Sequence, residues 1–174
     1  MRVSVEQLAS LVPPPAQPVD IGGPEAWDAL QARLGLPLPA DWLAFGRRYG
    51  SGAFDGGNLW VVNPVGAGAA DEVEYQCGFE FPFPTHPSSP GFLPWAADEN
   101  GNKFGWLTEG PPDGWPVAVV GHESEGAPER HPGPMTAFLA RLLGGELPDV
   151  WRPSHMGFTP GLDKGEVYRR LAGE

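Results

Sequence analysis

The segment from residue 35 to residue 60, GLPLPADWLAFGRRYGSGAFDGGNLW, constrains the fold of this chain more than any other. Pro39 suits the start of a helix because its ring fixes φ near the helical value. Aromatic rings then recur at i, i+3 and i+7, on one face of a helix: Trp42, Phe45 and Tyr49. Gly50 tolerates the positive φ with which helices often end. The segment predicts a short amphipathic helix followed by an aromatic strand.

The rest of the chain alternates between helical and strand-like patterns. Further helices are predicted at Val5 to Val12, at 24 to 34 and at Met135 to Leu143, with Ala69 to Cys77 as another candidate. Strands are predicted at Asn58 to Val62, Phe92 to Ala97, Lys103 to Thr108 and Trp115 to Val120. The Asn100-Gly101 pair favours a hairpin. This order predicts a single-domain α+β fold with N-terminal helices, an antiparallel β-meander sheet covered on one face by helices, and a closing C-terminal helix.

The length of 174 residues is that of one domain, within which three parts are expected. Residues 1–23 combine a helix with a proline-rich segment, and 24–146 form the main domain. Residues 147–174 are an extension expected to pack back onto the domain through its aromatic residues, with a dimer contact or a contribution to partner specificity as alternatives. Cys77 is the single cysteine, which excludes an intramolecular disulfide. The sequence shows neither a signal-peptide pattern nor an apolar run long enough to cross a membrane, so a cytoplasmic location is expected.

Charge limits the classes of partner. The chain has 22 acidic and 11 basic residues, a formal net charge of −11. A nucleic-acid binder needs clustered Lys and Arg for phosphate contacts, and an anionic membrane attracts basic segments, so neither partner is expected. An acidic surface instead attracts a basic protein and accelerates its association. The alternative interpretation is that the charge serves solubility alone.

No pattern of catalytic, cofactor-binding or metal-ligating residues fits a known template in full. The nearest is a calcium loop, with its ligand positions 1, 3, 5 and 12 at Asp98, Asn100, Asn102 and Glu109. The template requires glycine at position 6, where this chain has Lys103, so a hairpin turn is the better interpretation. His122 followed by Glu123 and Glu125 could form an acid–base group, although a solvated acidic loop is favoured. We expect no enzyme activity, no cofactor and no metal.

Three blocks carry a family resemblance. They are LPADWLAFGRRYGSG at 38–52, LPWAADENGNKFGWLTEGPPDGWPVAVVGHESE at 93–125 and MTAFLARLLGGE at 135–146. In this order they resemble the SMI1/KNR4 family, also called the SUKH superfamily, over about residues 24 to 146. The resemblance implies an α+β fold without catalytic residues. It also implies a function, because many bacterial members are immunity proteins that bind secreted toxins, and those toxins are often nucleases.

An acidic inhibitor can occupy the cationic active site of a basic nuclease and block access of its substrate, and the inhibitor needs no catalytic group to do so. Partner-binding residues are predicted from charge and expected loop position, since the resemblance does not fix them. They are Asp98, Glu99, Glu109, Asp113, Glu123 and Glu125, with Trp106 as an aromatic anchor. A monomer or a weak homodimer is expected.

Two alternative functions stay open. Fungal members of the family are regulatory scaffolds linked to cell-wall synthesis and signalling, so the chain could be an intracellular adaptor. It could also bind a small ligand in a groove between helices and sheet.

Overall fold

The computed structural model describes residues 5–61, 63, 65, 77, 78, 81–122 and 126–161. Its helices are α1 (Val5–Leu11), α2 (Pro24–Leu34), α3 (Ala40–Tyr49) and α4 (Met135–Leu143). Its strands are β1 (Gly52–Phe54), β2 (Leu59–Val61), β3 (Phe92–Asp98), β4 (Lys103–Leu107), β5 (Val117–Val120), β6 (Glu129–His131) and β7 (Phe158–Pro160). Short 3-10 turns occupy Asp55–Gly57 and Pro112–Gly114. The candidate helix at 69–77 lies outside the described residues apart from Cys77.

The helix boundaries follow the proline and glycine signals in the sequence. Pro24 lies in the first turn of α2, and Gly35 ends the helix in the left-handed conformation with φ 68°. Pro39 stands just before α3 rather than inside it, in an extended conformation with ψ 137°. Gly50 ends α3 with φ 69°, and its N–H donates to the Gly46 carbonyl. Each predicted N-terminal helix is therefore confirmed to within one residue.

The strands form one seven-stranded antiparallel sheet in the order β6-β5-β4-β3-β2-β1-β7. Strands β1 to β6 are joined in sequence order, which confirms the predicted antiparallel meander. The chain then passes through α4 and returns to pair β7 with β1. Strands β6 and β7 were not predicted, since at three residues each they carry too little alternation to be recognised.

The helices bury one face of the sheet in the main core. A β-bulge between Pro94 and Ala96 turns both Trp95 and Ala96 toward this core. Trp42 of α3 lies on Trp106 of β4, with ring centroids 4.6 Å apart. Helix α4 lies across the same face and packs against α1. It occupies the range predicted for the closing helix.

The other face of the sheet is partly covered as well. Phe81 and Phe83 pack there against a smaller cluster formed by Phe92, Leu107, Ala118 and Val120.

The chain after α4 also returns to the domain, because Trp151 is buried and Phe158 packs against Phe54. Among the described residues, no helix has the length and apolar character needed to span a membrane.

Candidate functional site

Asp98, predicted to contact a partner, is fully buried in the turn between β3 and β4. Its carboxylate accepts the backbone N–H groups of Asn100 and Asn102, each at 2.9 Å, and the Asn102 side-chain amide at 2.7 Å. Burial raises the pKa of Asp98 despite these hydrogen bonds. The carboxylate holds the backbone of its own turn, and a contact between Asp98 and a partner stays a prediction.

Trp106, predicted as an exposed anchor, lies in the core. Its side chain is 1% exposed, and its ring centroid lies 4.6 Å from that of Trp42 and 5.8 Å from that of Trp95. A partner cannot reach it without unfolding the sheet. Strand alternation turns Trp106 toward the helices rather than toward solvent, and its role as a partner anchor stays a prediction.

Glu109 and Asp113 are exposed, but each carboxylate already has an intramolecular partner. The Glu109 carboxylate pairs with the Arg130 guanidinium, and this hydrogen-bonded partner lowers the pKa of Glu109. Asp113 accepts the Ala40 N–H at 2.8 Å, which satisfies a donor at the start of α3. Both carboxylates are accessible at the surface, but each already accepts hydrogen bonds from within the chain.

The predicted partner-binding residues do not form one surface. Exposed Glu99 lies in the turn between β3 and β4, beside His122, whose N–H donates to the Asn102 side chain at 3.1 Å. Glu109 and Asp113 follow the opposite end of β4, and a strand advances by about 3.3 Å per residue, so the two groups are roughly 20 Å apart. Glu123 and Glu125 lie outside the described residues.

A groove of about 600 Å³ opens beside Asp113, at the second of these two ends. It is lined by the connection between α2 and α3 (34–37), by residues 86–89, and by Thr108, Gly110, Pro112 and Trp115. Among the described residues that line it, none carries a carboxylate, ammonium or guanidinium group. The groove brings together three segments that are distant in the chain, so no single stretch of the sequence could have predicted it.

Among the described residues, Asp55 is the carboxylate that accepts the most hydrogen bonds, and the sequence did not single it out. It is 1% exposed, and it accepts the backbone N–H groups of Ser154, His155 and Met156. The Ser154 hydroxyl and the Asn58 side-chain amide donate to it as well. Burial acts to raise the pKa of Asp55, but the hydrogen bonds outweigh burial, and the pKa lies below its ordinary value. This arrangement holds the C-terminal segment rather than a substrate.

Within the described part of the chain, no three His, Cys, Asp or Glu side chains lie close enough together to hold a metal ion. No protein-family model matches the chain, and neither a curated protein nor a solved structure matches it.

Proposed function

We propose that this chain is a non-catalytic binding protein of the immunity class, which inhibits a basic protein toxin by covering its cationic active site. The toxin is expected to be a nuclease, because an enzyme that acts on a polyanion carries the positive charge that complements this surface. The arrangement of N-terminal helices over an antiparallel meander is the layout that the resemblance to the SMI1/KNR4 family implies. That agreement supports the proposal.

The observation that carries the proposal is the excess of acidic over basic residues. The chain has twice as many acidic as basic residues, 22 against 11. Six exposed acidic side chains make no ion pair with any residue that the structure describes: Asp20, Glu25, Asp28, Glu99, Asp113 and Asp149. Uncompensated surface charge raises the association rate with an oppositely charged partner, and it does so without a catalytic group.

The test is co-expression with the product of the neighbouring gene. That product should arrest growth when expressed alone, and co-expression with this chain should restore growth and yield a complex that survives purification. Association should slow steeply as salt rises, because screening weakens attraction between exposed charges. A neighbouring product that is harmless, or that stays toxic during co-expression, contradicts the proposal.

Charge reversals then locate the binding face. Glu99→Lys alters the turn between β3 and β4, whereas Glu25→Lys with Asp28→Lys alters the exposed side of α2. Because these side chains lie on different elements, only one of the two variants should lose rescue, and the other is its control. The same loss in both variants would mean that total charge matters rather than a defined face.

The groove favours a second candidate function, the binding of a small ligand. Its volume of about 600 Å³ is within the range of ligand pockets. Because the lining carries hydroxyl and imidazole groups but no charged group, an uncharged ligand with its own hydrogen-bonding groups fits best. Thermal-shift measurements with uncharged sugars and nucleosides test this function, with their phosphorylated forms as charged controls. Ser88→Trp, at an exposed position on the rim, should abolish any shift caused by binding in the groove.

A further inference from the structure

Within the described part of the chain, two sets of contacts fasten the segment from 152 to 161 to the domain. Before it, Trp151 is buried in the main core, so the chain is anchored up to that residue. Residues 154 to 157 are exposed and are held by Asp55, and residues 158 to 160 form β7 at the edge of the sheet. We name residues 152–161 the strap. We propose that the strap is a displaceable strand and that the β1 edge it covers is a docking surface for an extended segment of a partner.

The first fastening depends on one carboxylate. Asp55 accepts the Ser154 N–H at 2.8 Å and the Met156 N–H at 3.1 Å, and it accepts the His155 N–H as well. Met156 adopts φ 58°, a left-handed conformation that is unfavourable for its side chain, while that side chain stays 39% exposed. The closed strap therefore keeps a strained residue whose side chain adds little burial, and opening relieves that strain.

The second fastening is a short strand with one partly buried ring, that of Phe158. The Asp55 N–H donates to the Gly157 carbonyl at 2.8 Å, and the Gly161 N–H donates to the Ser51 carbonyl at 2.7 Å. The Phe158 ring lies edge-on against Tyr49 and Phe54, with centroids 5.2 Å and 5.0 Å away. Tyr49 and Phe54 are fully buried while the strap is closed.

These contacts define what the surface accepts. An occupant needs an extended backbone that pairs with β1 and an aromatic side chain that fits over Tyr49 and Phe54. Just before that side chain, it needs consecutive backbone N–H groups that point toward Asp55. Main-chain pairing supplies affinity in such strand addition, and the side-chain pocket supplies specificity. The strap itself meets these requirements, so a partner strand of the same chemistry would compete with it. The docking surface does not depend on the acidic surface assigned to the toxin.

Hydrogen exchange on the full chain tests whether the strap opens independently. In Asp55→Asn, the exchange rate of the Gly161 amide should rise by about tenfold or more, while the β4 amides keep their rates, because local opening exposes only the amides it releases. The exposed Glu99→Gln variant is the matched control and should match the wild type. An unchanged Gly161 rate, or an equal rise at all amides, would overturn the proposal.

Binding in trans tests the docking surface. Phe158→Ala weakens the strap in the full chain, and a fluorescent peptide with the sequence of residues 152–161 is then added. The peptide should bind the Phe158→Ala variant but not the wild type, and a peptide with alanine in place of its phenylalanine should bind neither. Failure of the native peptide to bind the variant at any soluble concentration would show that the β1 edge does not accept an exchanged strand.

Discussion

Asp41, in the first turn of α3, accepts the backbone N–H of Thr136 at 3.0 Å and the Thr136 hydroxyl at 3.4 Å. Thr136 is the second residue of α4, where a backbone donor has no partner within its own helix. Pro134 precedes α4 and offers no side-chain cap. The backbone N–H of Thr136 at the start of α4 therefore donates to a side chain that lies 95 residues away in the sequence.

Substitution of Asp41 should separate its hydrogen bond from its charge. Asp41→Ala leaves the Thr136 N–H without an acceptor and should lower the free energy of unfolding by about 1–3 kcal/mol. Burial raises the pKa of Asp41 above its ordinary value of 3.8, so the stability linked to its protonated form is complete below that pH and is lost as pH rises through the folded-state pKa. The ionised carboxylate still accepts the Thr136 N–H, so the cost of Asp41→Ala persists at neutral pH. Asp41→Asn keeps an acceptor without the charge and should change stability by less than about 0.5 kcal/mol at neutral pH.

Urea unfolding of both Asp41 variants at neutral pH measures this difference, with exposed Asp28→Asn as the control. If asparagine were as damaging as alanine, the negative charge beside α4 would matter more than the acceptor atom.

Asp55 should make the protein sensitive to acid. Hydrogen bonds from the strap hold the pKa of Asp55 below 3.8 in spite of burial, so its contribution is complete above that value and is lost as pH falls through the folded-state pKa. In Asp55→Ala the three backbone donors lose their acceptor, which should cost about 2–4 kcal/mol at neutral pH. Unfolding free energies measured across the acid range should show the wild type converging toward the variant. A constant difference down to the lowest pH would show that protonation of Asp55 plays no part.

Tyr49 should titrate outside the usual tyrosine range. Burial raises the pKa of Tyr49 from 10.0 to about 12, and its hydroxyl donates to the Val12 carbonyl at 2.7 Å. Because the folded-state pKa is the higher one, the contribution of Tyr49 is complete below pH 10.0 and is lost as pH rises toward 12. The tyrosinate absorbance should show one group near that value, and Tyr49→Phe should remove it. If Tyr49→Phe instead removed a titration step with a pKa near 10.0, this assignment would be contradicted.

Local signals in the sequence predicted much of the fold. The proline and glycine residues around α2 and α3 act within a few residues of each helix end, so each boundary can be read directly. The Asn100-Gly101 pair marks the turn between β3 and β4 for the same reason. Hydrophobic spacing predicted the range of α4, whose apolar side chains face the core.

The site was harder to predict, because each relevant interaction joins residues far apart in the chain. Nothing near Asp55 shows that Ser154, 99 residues later, will donate to it. Charge identified Asp98 as a contact residue, but the turn buries that carboxylate to hold the hairpin. An acidic residue in a predicted loop can therefore serve the loop itself, and sequence does not distinguish that role from exposure to a partner.

Trp106 should contribute to stability rather than to binding. Because it is buried between Trp42 and Trp95, Trp106→Ala should lower the free energy of unfolding by about 3–5 kcal/mol. Trp106→Phe keeps an aromatic ring and should cost less. Denaturant unfolding measures both changes, and surface plasmon resonance with the cognate partner should give the Trp106→Phe variant wild-type affinity. A folded Trp106→Phe variant that no longer binds the partner would show that Trp106 contributes to binding.

Replacement of Gly46 by alanine should destabilise the protein, whereas alanine usually stabilises a helix relative to glycine. Replacing a glycine inside a helix with alanine normally stabilises by up to about 1 kcal/mol, since glycine has the greater conformational freedom when unfolded. In α3, however, a Cβ at Gly46 would overlap the ring of Trp27, and that ring is itself buried in the core. Gly46→Ala should therefore destabilise by about 1–3 kcal/mol, the usual cost of overpacking. Arg47→Ala, at the exposed next position, is the control and should stay within about 0.5 kcal/mol of the wild type. A gain in stability for Gly46→Ala, measured by thermal and urea unfolding, would mean that Trp27 does not pack against this turn of α3.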